Sequence, residues 1–364
     1  MKNTILPMLL VSAATAAFAM SPTADYSAPR KIADYLFEMD YRDYAPNREN
    51  PLGAANVKFG CSAVRNGDFY GRNFDFYYNH MAEIVVRMAA STNRFASLAV
   101  CAKPGITQAA IEAGLDDATC RILPNTVIDG INEKGVACNV NVVPYQDVAP
   151  LTGTNPGKPN LHLASALRVV LDQATSARHA LEILGGYNLF GSLGTSYYFF
   201  FNDTATTETY TVEFIDNKMV WTDQKIMVNF YHTLPAPTLH GQGLERHAIL
   251  TKYYDEGSTA DGMLTLMKRV HYSQAYKPET QPVWYSEYFG TKGTDGQDLT
   301  LASPRENFAA SIERCFNLQR NRDRDTPDAK NVWFTNSTSV YDLKNKTLRL
   351  VVQEDYDHVY EFML

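Results

Sequence analysis

The chain has 364 residues, of which 45% are apolar and 20% are charged, and its formal net charge is −7. This composition is ordinary for a globular protein. The acidic balance argues against a nucleic-acid partner, which needs a concentrated basic footprint.

The first 19 residues have the pattern of a signal peptide. Lys2 supplies a positive start, residues 5–18 are almost wholly apolar or small, and Ala17-Phe18-Ala19 fits the small-x-small cleavage site. The apolar stretch is shorter than the roughly 20 residues of a spanning helix. We therefore expect an exported protein, periplasmic or secreted, without a stable membrane span.

Residues 20–60 form a separate stretch between the signal peptide and the body of the chain. Residues 32–39 show weak helical periodicity, which predicts a short helix. Residues 47–56 are rich in Pro, Asn and Gly, which is typical of a linker. Dense strand signals begin at Phe59.

The body of the chain alternates blocks of strands with pairs of helices. Apolar spacing predicts helices within residues 161–184, 244–254 and 261–270. Runs of β-branched and aromatic residues predict strands at 61–64, 69–74, 84–87, 97–101, 126–128, 136–143, 197–201, 210–215, 218–221, 225–228, 331–334, 340–343, 347–353 and 358–362. Short turns between strands favour antiparallel sheets, so the pattern suits an α+β fold of two packed sheets with helices on both outer faces.

Five cysteines follow the signal peptide: Cys61, Cys101, Cys120, Cys138 and Cys315. In an oxidising compartment four of them could pair and one would be left over. The chain has no Cys-x-x-Cys and no Cys/His cluster with zinc spacing. Nucleotide, serine-hydrolase and metalloprotease motifs are also absent, so we expect neither a metal nor an organic cofactor.

The most informative segment runs from Cys61 to Asp75. Asn66-Gly67 is a strong hairpin signal, so the strand that begins at Cys61 pairs with one that ends in Arg72 to Asp75. A nearby cation such as Arg72 lowers the pKa of a thiol and so promotes the reactive thiolate. If Cys61 were the first residue of a mature chain, its α-amine, with a pKa near ~8, would serve as the base.

The same residues admit a purely structural interpretation. Cys61 would then be a small buried apolar side chain, and Arg72 with Asp75 would be an exposed ion pair of little energetic value. Residues three apart on a regular strand face opposite sides. Arg72 and Asp75 would therefore both reach Cys61 only if the strand bends between them.

This hairpin resembles the nucleophile hairpin of the choloylglycine hydrolase family, which includes bile salt hydrolases, penicillin V acylases and an acid ceramidase-like branch. Later segments resemble that family in the same order: residues 129–135 (DGINEKG), 225–233 (KIMVNFYHT), 243–246 (GLER) and 339–348 (SVYDLKNKTL). The resemblance implies an N-terminal nucleophile hydrolase that cleaves linear amides and has an α+β fold, a four-layer αββα sandwich. It covers residues 61–364, which we take as one catalytic domain.

The resemblance also implies a role for each matching residue. Cys61 would be the nucleophile and its freed amine the general base, with Arg72 beside the thiolate and Asp75 binding the amine. The side-chain N–H of Asn229 would contribute to the oxyanion hole, and Arg246 would tie the site together electrostatically.

One further asparagine follows the second matching segment. Asn139 and Asn141 are two residues apart and share one strand face. We expect Asn141 to be the residue that faces the site.

An internal cysteine has no free amine, so this chemistry requires a cut between Gly60 and Cys61. Residues 20–60 would then be a pro-segment, as in the acid ceramidase-like branch. Attack of the Cys61 thiol on the Gly60 carbonyl is the expected route, because glycine hinders that attack least.

The expected substrate is a small N-acyl amide, such as a conjugated bile acid, an N-acyl lipid, an N-acyl amino acid or a penicillin. Loops at residues 76–80, 143–160 and 231–241 would set specificity. Their aromatic residues, Tyr77, Tyr78, Tyr145 and Tyr231, suggest an apolar acyl group. Two alternatives stay open: an acyltransferase of the same fold, or an exported binding protein without activity. The family also admits homo-oligomers.

Overall fold

The computed structural model describes residues 24–52, 60–77, 81–143, 151–192, 196–234, 241–271 and 333–364. The predicted signal peptide, Tyr78, Tyr145, Cys315 and the 331–332 end of a predicted strand lie outside these residues. Among the described residues, no helix combines the length and apolarity needed to cross a membrane.

Ten strands form the larger sheet. They are β1 Asp25–Tyr26, β2 Arg30–Ala33, β3 Leu36–Asp43, β6 Glu83–Met88, β7 Ser97–Cys101, β8 Val127–Asn132, β9 Ala137–Val143, β12 Ser196–Asn202, β13 Thr209–Ile215 and β14 Lys218–Asp223. Their order across the sheet is β1-β3-β6-β7-β8-β9-β12-β13-β14, with β2 paired to β3.

Six strands form the second main sheet. They are β4 Gly60–Asn66, β5 Phe69–Tyr77, β15 Ile226–Met227, β18 Trp333–Asp342, β19 Thr347–Val352 and β20 Tyr360–Met363, in the order β15-β4-β5-β18-β19-β20. Two small pairs complete the strands: β10 Asn160–His162 with β11 Asn188–Phe190, and β16 Asn229–Phe230 with β17 Gly241–Gln242.

The described residues include six α-helices, and two pairs of them cover the outer faces of the main sheets. They are α1 Gln108–Glu112, α2 Asp117–Ile122, α3 Leu163–Gln173, α4 Ala177–Gly185, α5 Leu244–Lys252 and α6 Ala260–Arg269. The pair α3 and α4 packs on the larger sheet, while α5 and α6 pack on the second. Side chains of the two sheets meet between them, so the predicted α+β class with four αββα layers is confirmed.

The predicted helical region 161–184 is divided into two helices. The helix α3 ends at Gln173, and Ser176 caps the start of α4 by accepting a hydrogen bond from the backbone N–H of His179. The short helices α1 and α2 were not predicted, since each has at most six residues and carries little periodic signal.

The prediction of a helix at residues 32–39 is wrong. The segment instead forms β2 and β3, and Leu36, Phe37, Met39 and Tyr41 of β3 are buried in the core. The strand β3 lies inside the larger sheet and pairs in parallel with β6, whereas the other pairings within the two main sheets are antiparallel. Tertiary packing therefore overrides a weak local preference.

The predicted hairpin of β4 and β5 forms, but its turn is displaced by one residue. Asn66 pairs with Phe69, so the two loop residues are Gly67 and Asp68. Of these two only Gly67 has a positive φ, at 59°. Glycine with positive φ at the first loop position is the pattern of a type II′ turn rather than the expected type I′.

Candidate active site

Cys61 is the second residue of β4, in the second sheet. It pairs directly with Phe74 of β5, so the two side chains point to the same face, toward the larger sheet. Cys61 is completely buried. Its side chain is therefore held by the hairpin on one side and by the inner face of the larger sheet on the other.

The guanidinium of Arg72 lies against the sulfur of Cys61. Its Nη2 is 3.4 Å from Sγ, and its Cζ lies 4.8 Å from the centroid of the Phe74 ring. Arg72 is fully buried and also donates to the carbonyl oxygen of Val140, at 3.1 Å. A cation thus sits within contact distance of the thiol in a place closed to water.

The main chain of Cys61 is held by two further residues. The Oδ1 atom of Asn229 accepts a hydrogen bond from the Cys61 backbone N–H at 2.7 Å. Arg246 Nη1 donates to the Cys61 carbonyl oxygen, also at 2.7 Å. The two groups therefore fix both polar ends of this one residue.

Arg246 connects the parts of the site. Besides the Cys61 carbonyl, its Nη1 reaches Asp75 Oδ2 at 3.3 Å and its Nη2 donates to Asn229 Oδ1 at 2.8 Å. Gly243 precedes α5 with φ at +96°, and a Cβ there would lie 2.6 Å from Arg246 Nη2. Glycine at this position therefore makes room for the guanidinium, which explains why glycine begins the GLER segment.

The strand β5 does not bend between Arg72 and Asp75. Its register with β4 is regular throughout, and the two side chains lie on opposite faces. Arg72 reaches the sulfur of Cys61, whereas Asp75 reaches the Cys61 main chain through Arg246. The expected conflict disappears because the two side chains serve different atoms of Cys61.

Asp75 does not accept the Cys61 backbone N–H in this structure; Asn229 does. The Asp75 carboxylate instead receives the hydroxyl of Thr335, at 2.6 Å, and Arg246. Thr335 was not singled out in the sequence. Only the pairing of β5 with β18 brings it there, 260 positions away along the chain.

Asn139 and Asn141 share the inner face of β9, as expected. Asn139 accepts the hydroxyl of Tyr70 at 2.6 Å and donates to Asn141 Oδ1 at 2.8 Å. Asn141 in turn donates to the carbonyl oxygen of Val228, at 3.0 Å, next to Asn229. Asn141 is therefore the member of the pair that contacts the segment carrying Asn229.

Asn229 and β9 are joined by a second amide contact. Asn229 Nδ2 donates to the Val142 carbonyl oxygen at 2.6 Å, while its Oδ1 is occupied by Cys61 and Arg246. Asn229 therefore acts toward the Cys61 backbone as an acceptor. Its expected role as an oxyanion donor concerns a bound substrate and stays a prediction.

Asp129 is the functional candidate that sequence reasoning did not identify. It opens the DGINEKG segment on β8, and its Oδ2 lies 3.0 Å from Arg72 Nη1 with both side chains fully buried. The hydroxyl of Tyr341 also donates to it. Its position at the start of the DGINEKG segment was the only sequence signal for it. That signal did not reveal its partner, because Arg72 lies on the opposite sheet.

Burial dominates the protonation of the site. It raises the pKa of the Cys61 thiol to about 11, although Arg72 pulls that pKa down. Burial also raises the pKa of Asp75 to about 7, against the opposing effect of Arg246. At neutral pH the thiol is therefore protonated, and reaction requires that its proton be transferred.

The remaining sequence expectations concern cysteine pairing, metals and the loops. Cys61, Cys101, Cys120 and Cys138 are all free and buried, so none of these four pairs with another. Within the described parts of the chain, no three potential ligand side chains gather to hold a metal ion. Tyr231 is buried in the core rather than exposed at a mouth.

Comparisons with solved structures return 57 matching chains, among them the following three. A variant of the conjugated bile acid hydrolase from Clostridium perfringens is 16% identical with a TM-score of 0.46, covering 84% of this chain and 92% of its own. A penicillin V acylase from Agrobacterium tumefaciens is 17% identical with a TM-score of 0.40, covering 84% and 86%. A second variant of the Clostridium perfringens enzyme is 13% identical with a TM-score of 0.41, covering 83% and 92%.

No family model matches the chain, and no curated protein matches it. At the identities and TM-scores of the solved structures, neither an activity nor a substrate is carried over from them. The chemistry of this chain has to be inferred from its own residues.

Proposed function

We propose that this protein is a cysteine N-terminal nucleophile amidase, activated by cleavage between Gly60 and Cys61, that hydrolyses small linear N-acyl amides. One observation carries the proposal: three buried groups hold the sulfur, nitrogen and carbonyl oxygen of Cys61. They are Arg72 at Sγ, Asn229 at the backbone N–H and Arg246 at the carbonyl. Any buried backbone N–H and carbonyl oxygen needs a partner, but at Cys61 an amide and a guanidinium side chain supply it.

Activation begins with the Cys61 thiol attacking the Gly60 carbonyl carbon. A C–S bond forms, the C–N bond to Cys61 breaks, and the thiol proton passes to the departing nitrogen. Water then hydrolyses the thioester, which leaves a carboxylate on Gly60 and restores the thiol. The new α-amine keeps Asn229 Oδ1 as its hydrogen-bond acceptor, because that contact already exists at 2.7 Å.

In catalysis the α-amine of Cys61 takes the proton of its own thiol as the sulfur attacks the substrate carbonyl. The ammonium then gives a proton to the leaving amine, and an acyl-enzyme remains. Water, deprotonated by the same amine, hydrolyses the acyl-enzyme and releases the acid. Arg246 orients the residue throughout, through its contacts with the Cys61 carbonyl, Asn229 and Asp75.

The oxyanion of the tetrahedral intermediate needs hydrogen-bond donors. An amide such as that of Asn229 is suited to this, and one such donor typically contributes ~2.7–4 kcal/mol. We assign the Asn229 amide to this role, as the family resemblance implies, and Asn141, which contacts the same segment, to its support.

The substrate class proposed is a small N-acyl amide: a conjugated bile acid, an N-acyl lipid, an N-acyl amino acid or a penicillin. The signal peptide pattern of residues 1–19 supports export to the periplasm or the medium. Transfer of the acyl group to an amine instead of water is the alternative outcome of the same acyl-enzyme.

The test is intact-mass measurement and N-terminal sequencing of the purified protein, followed by a screen of N-acyl amides for release of free amine. We expect the protein to begin at Cys61 and the Cys61→Ala variant to keep the peptide bond to Gly60 and to release no amine. The matched control is Cys138→Ala, which removes another fully buried thiol and should still be cut.

Two results would contradict the proposal. One is a wild-type protein that keeps the Gly60–Cys61 bond, which would favour a binding protein without activity. The other is cleavage of the Cys61→Ala variant at the same bond. Product analysis with an added amine acceptor separates hydrolysis from acyl transfer.

A further inference from the structure

Arg72 is shared between two partners at opposite ends of its guanidinium. Nη2 is 3.4 Å from Cys61 Sγ, and Nη1 is 3.0 Å from Asp129 Oδ2. All three side chains are completely buried. An arginine stays protonated in proteins, so its one positive charge is divided between a carboxylate that is already present and a thiolate that has yet to form.

The strand register of the larger sheet determines the position of Asp129. Val85, Val100, Asp129 and Asn139 are directly opposite one another across β6, β7, β8 and β9, and so share one face. Asn139 of that row contacts Tyr70 of the second sheet, so the row faces the space between the sheets. Asp129 is thus fixed by a rigid element and does not depend on a loop.

The titratable groups around Arg72 determine how its positive charge is balanced between the two sheets. Arg72 faces Cys61, Tyr70, Glu83 and Asp129. Burial raises the pKa of Glu83 to about 8, so that Glu83 is neutral at pH 7. Burial keeps the pKa of Tyr70 well above 10, so Tyr70 is neutral as well.

Asp129 is the anion that balances Arg72 in this space. Burial raises its pKa, but Arg72 and the hydroxyl of Tyr341 both oppose that rise. On the other face of the second sheet, Arg246 lies 3.3 Å from Asp75 and holds the Cys61 carbonyl oxygen rather than its sulfur. Because Arg72 is already paired with Asp129, a thiolate at Cys61 would lack an unshared counterion in a buried site, which is costly.

We propose that Asp129 is a positioning residue that holds the charge of Arg72, so that Cys61 rests as a neutral thiol and becomes a thiolate only as its proton is transferred. This rests on the proposed function, in which Cys61 is the nucleophile. Arg72 then orients the thiol and stabilises sulfur as it gains charge, but it does not maintain a standing ion pair. The base, and not Arg72, controls when Cys61 reacts.

The test measures the alkylation rate of Cys61 by iodoacetamide against pH, with the Cys61 peptide resolved from the other cysteine peptides by mass spectrometry. We expect the wild-type midpoint to lie well above ~8.5, the usual value for a thiol. The Asp129→Asn variant keeps the shape and removes the charge, so Arg72 becomes available to the thiolate. Its midpoint should fall by about 1 to 3 pH units.

The matched control is Asp172→Asn. Asp172 forms another buried ion pair, with Arg168 Nη2 at 2.7 Å, so its loss disturbs folding in a comparable way. The largest influences on the pKa of the Cys61 thiol are burial, Arg72, Asp75 and Arg246, and Arg168 is not one of them. We expect Asp172→Asn to leave the Cys61 midpoint unchanged.

Should Asp129→Asn fail to fold, Tyr341→Phe provides a second variant. It removes one hydrogen-bond donor to Asp129, so the ionised form of that carboxylate is less stable. The Cys61 midpoint should therefore shift in the same direction by a smaller amount. Unchanged or higher midpoints in these variants would overturn the proposal, as would a wild-type midpoint at or below ~8.5. Thiol titration needs no substrate. Its result can therefore be interpreted even if the screen of N-acyl amides detects no hydrolysis.

Discussion

The side-chain oxygen of Asn229 accepts the backbone N–H of Cys61, and its side-chain nitrogen donates to Val142. The amide is thus oriented with its acceptor, rather than a donor, toward the residue to be activated. In the proposed mechanism, activation and catalysis would depend on different halves of this amide, and conservative variants can separate them.

We expect Asn229→Asp to retain cleavage at Gly60–Cys61 and to lose amide hydrolysis. Aspartate keeps an acceptor for the Cys61 nitrogen and for Arg246 but lacks the N–H for the oxyanion. Asn229→Ala should slow cleavage by roughly 10- to 100-fold, which is the effect of one lost buried hydrogen bond. The measurement is the rate of appearance of the mature mass. Equal rates for the two variants would show that the acceptor has no role in activation.

Residues 24–52 should stay with the protein after cleavage at Gly60–Cys61. Four apolar residues of β3 are buried in the core, and β3 is hydrogen-bonded on both edges, to β1 and β2 on one side and to β6 on the other. We expect the two chains to co-elute in native size-exclusion chromatography and to separate in denaturant, with both masses visible.

Two adjacent residues of β3 provide the variants for this prediction. Met39 is fully buried and Asp40 is exposed, because neighbouring residues of a strand face opposite sides. Met39→Asp should release the segment or prevent folding, whereas Asp40→Asn should behave as the wild type. A mature protein that elutes without residues 24–52 would contradict the prediction.

Glu83 should make the folded state less stable as the pH rises. Its pKa is raised by burial from 4.5 to about 8, so the folded state holds a proton that the unfolded state has lost. The contribution is fully present below about pH 4.5 and is lost as the pH approaches about 8. Within that window each pH unit costs up to roughly 1.4 kcal/mol.

Urea unfolding at several values between pH 5 and pH 8 measures this slope. Glu83→Gln carries no titrating proton, so its free energy of unfolding should depend less steeply on pH than that of the wild type. Glu182→Gln, an exposed change on α4, is the control and should leave the slope unaltered. Parallel curves for wild type and Glu83→Gln would refute the assignment.

Gly130 should not tolerate a side chain. A Cβ at this position would lie 2.8 Å from a methyl of Leu171 on α3 and 2.9 Å from the backbone oxygen of Leu98. The backbone oxygen cannot move aside without disturbing β7, so Gly130→Ala should destabilise the fold by about 1 to 3 kcal/mol.

Gly157 is the matched position for this test. A Cβ there meets nothing within 4 Å, so Gly157→Ala should change the free energy of unfolding by less than about 0.5 kcal/mol. Urea denaturation of both variants decides the point. Similar midpoints would mean that the contact between β8 and α3 is looser than the structure shows.

The hairpin and the longer helices follow from short-range patterns. Gly67 marks the turn that pairs Cys61 with Phe74, and the apolar spacing of α3 and α6 marks their buried faces. Such features depend on residues that are near in the chain, so a single sequence carries them. The resemblance added Asn229 and Arg246, and the structure brings both to Cys61.

The sequence by itself determined the class of fold, the place of Cys61 and the residue types around it. Tertiary structure alone decided which atoms meet. Cys61 and Asn229 are 168 positions apart, and Arg72 reaches Asp129 from the other sheet. It also decided that residues 36–43 form a strand, because a short apolar run fits a helix or a strand equally well until a sheet edge is available to pair with it. Burial and hydrogen-bond partners depend on how the sheets pack, and local spacing does not specify that.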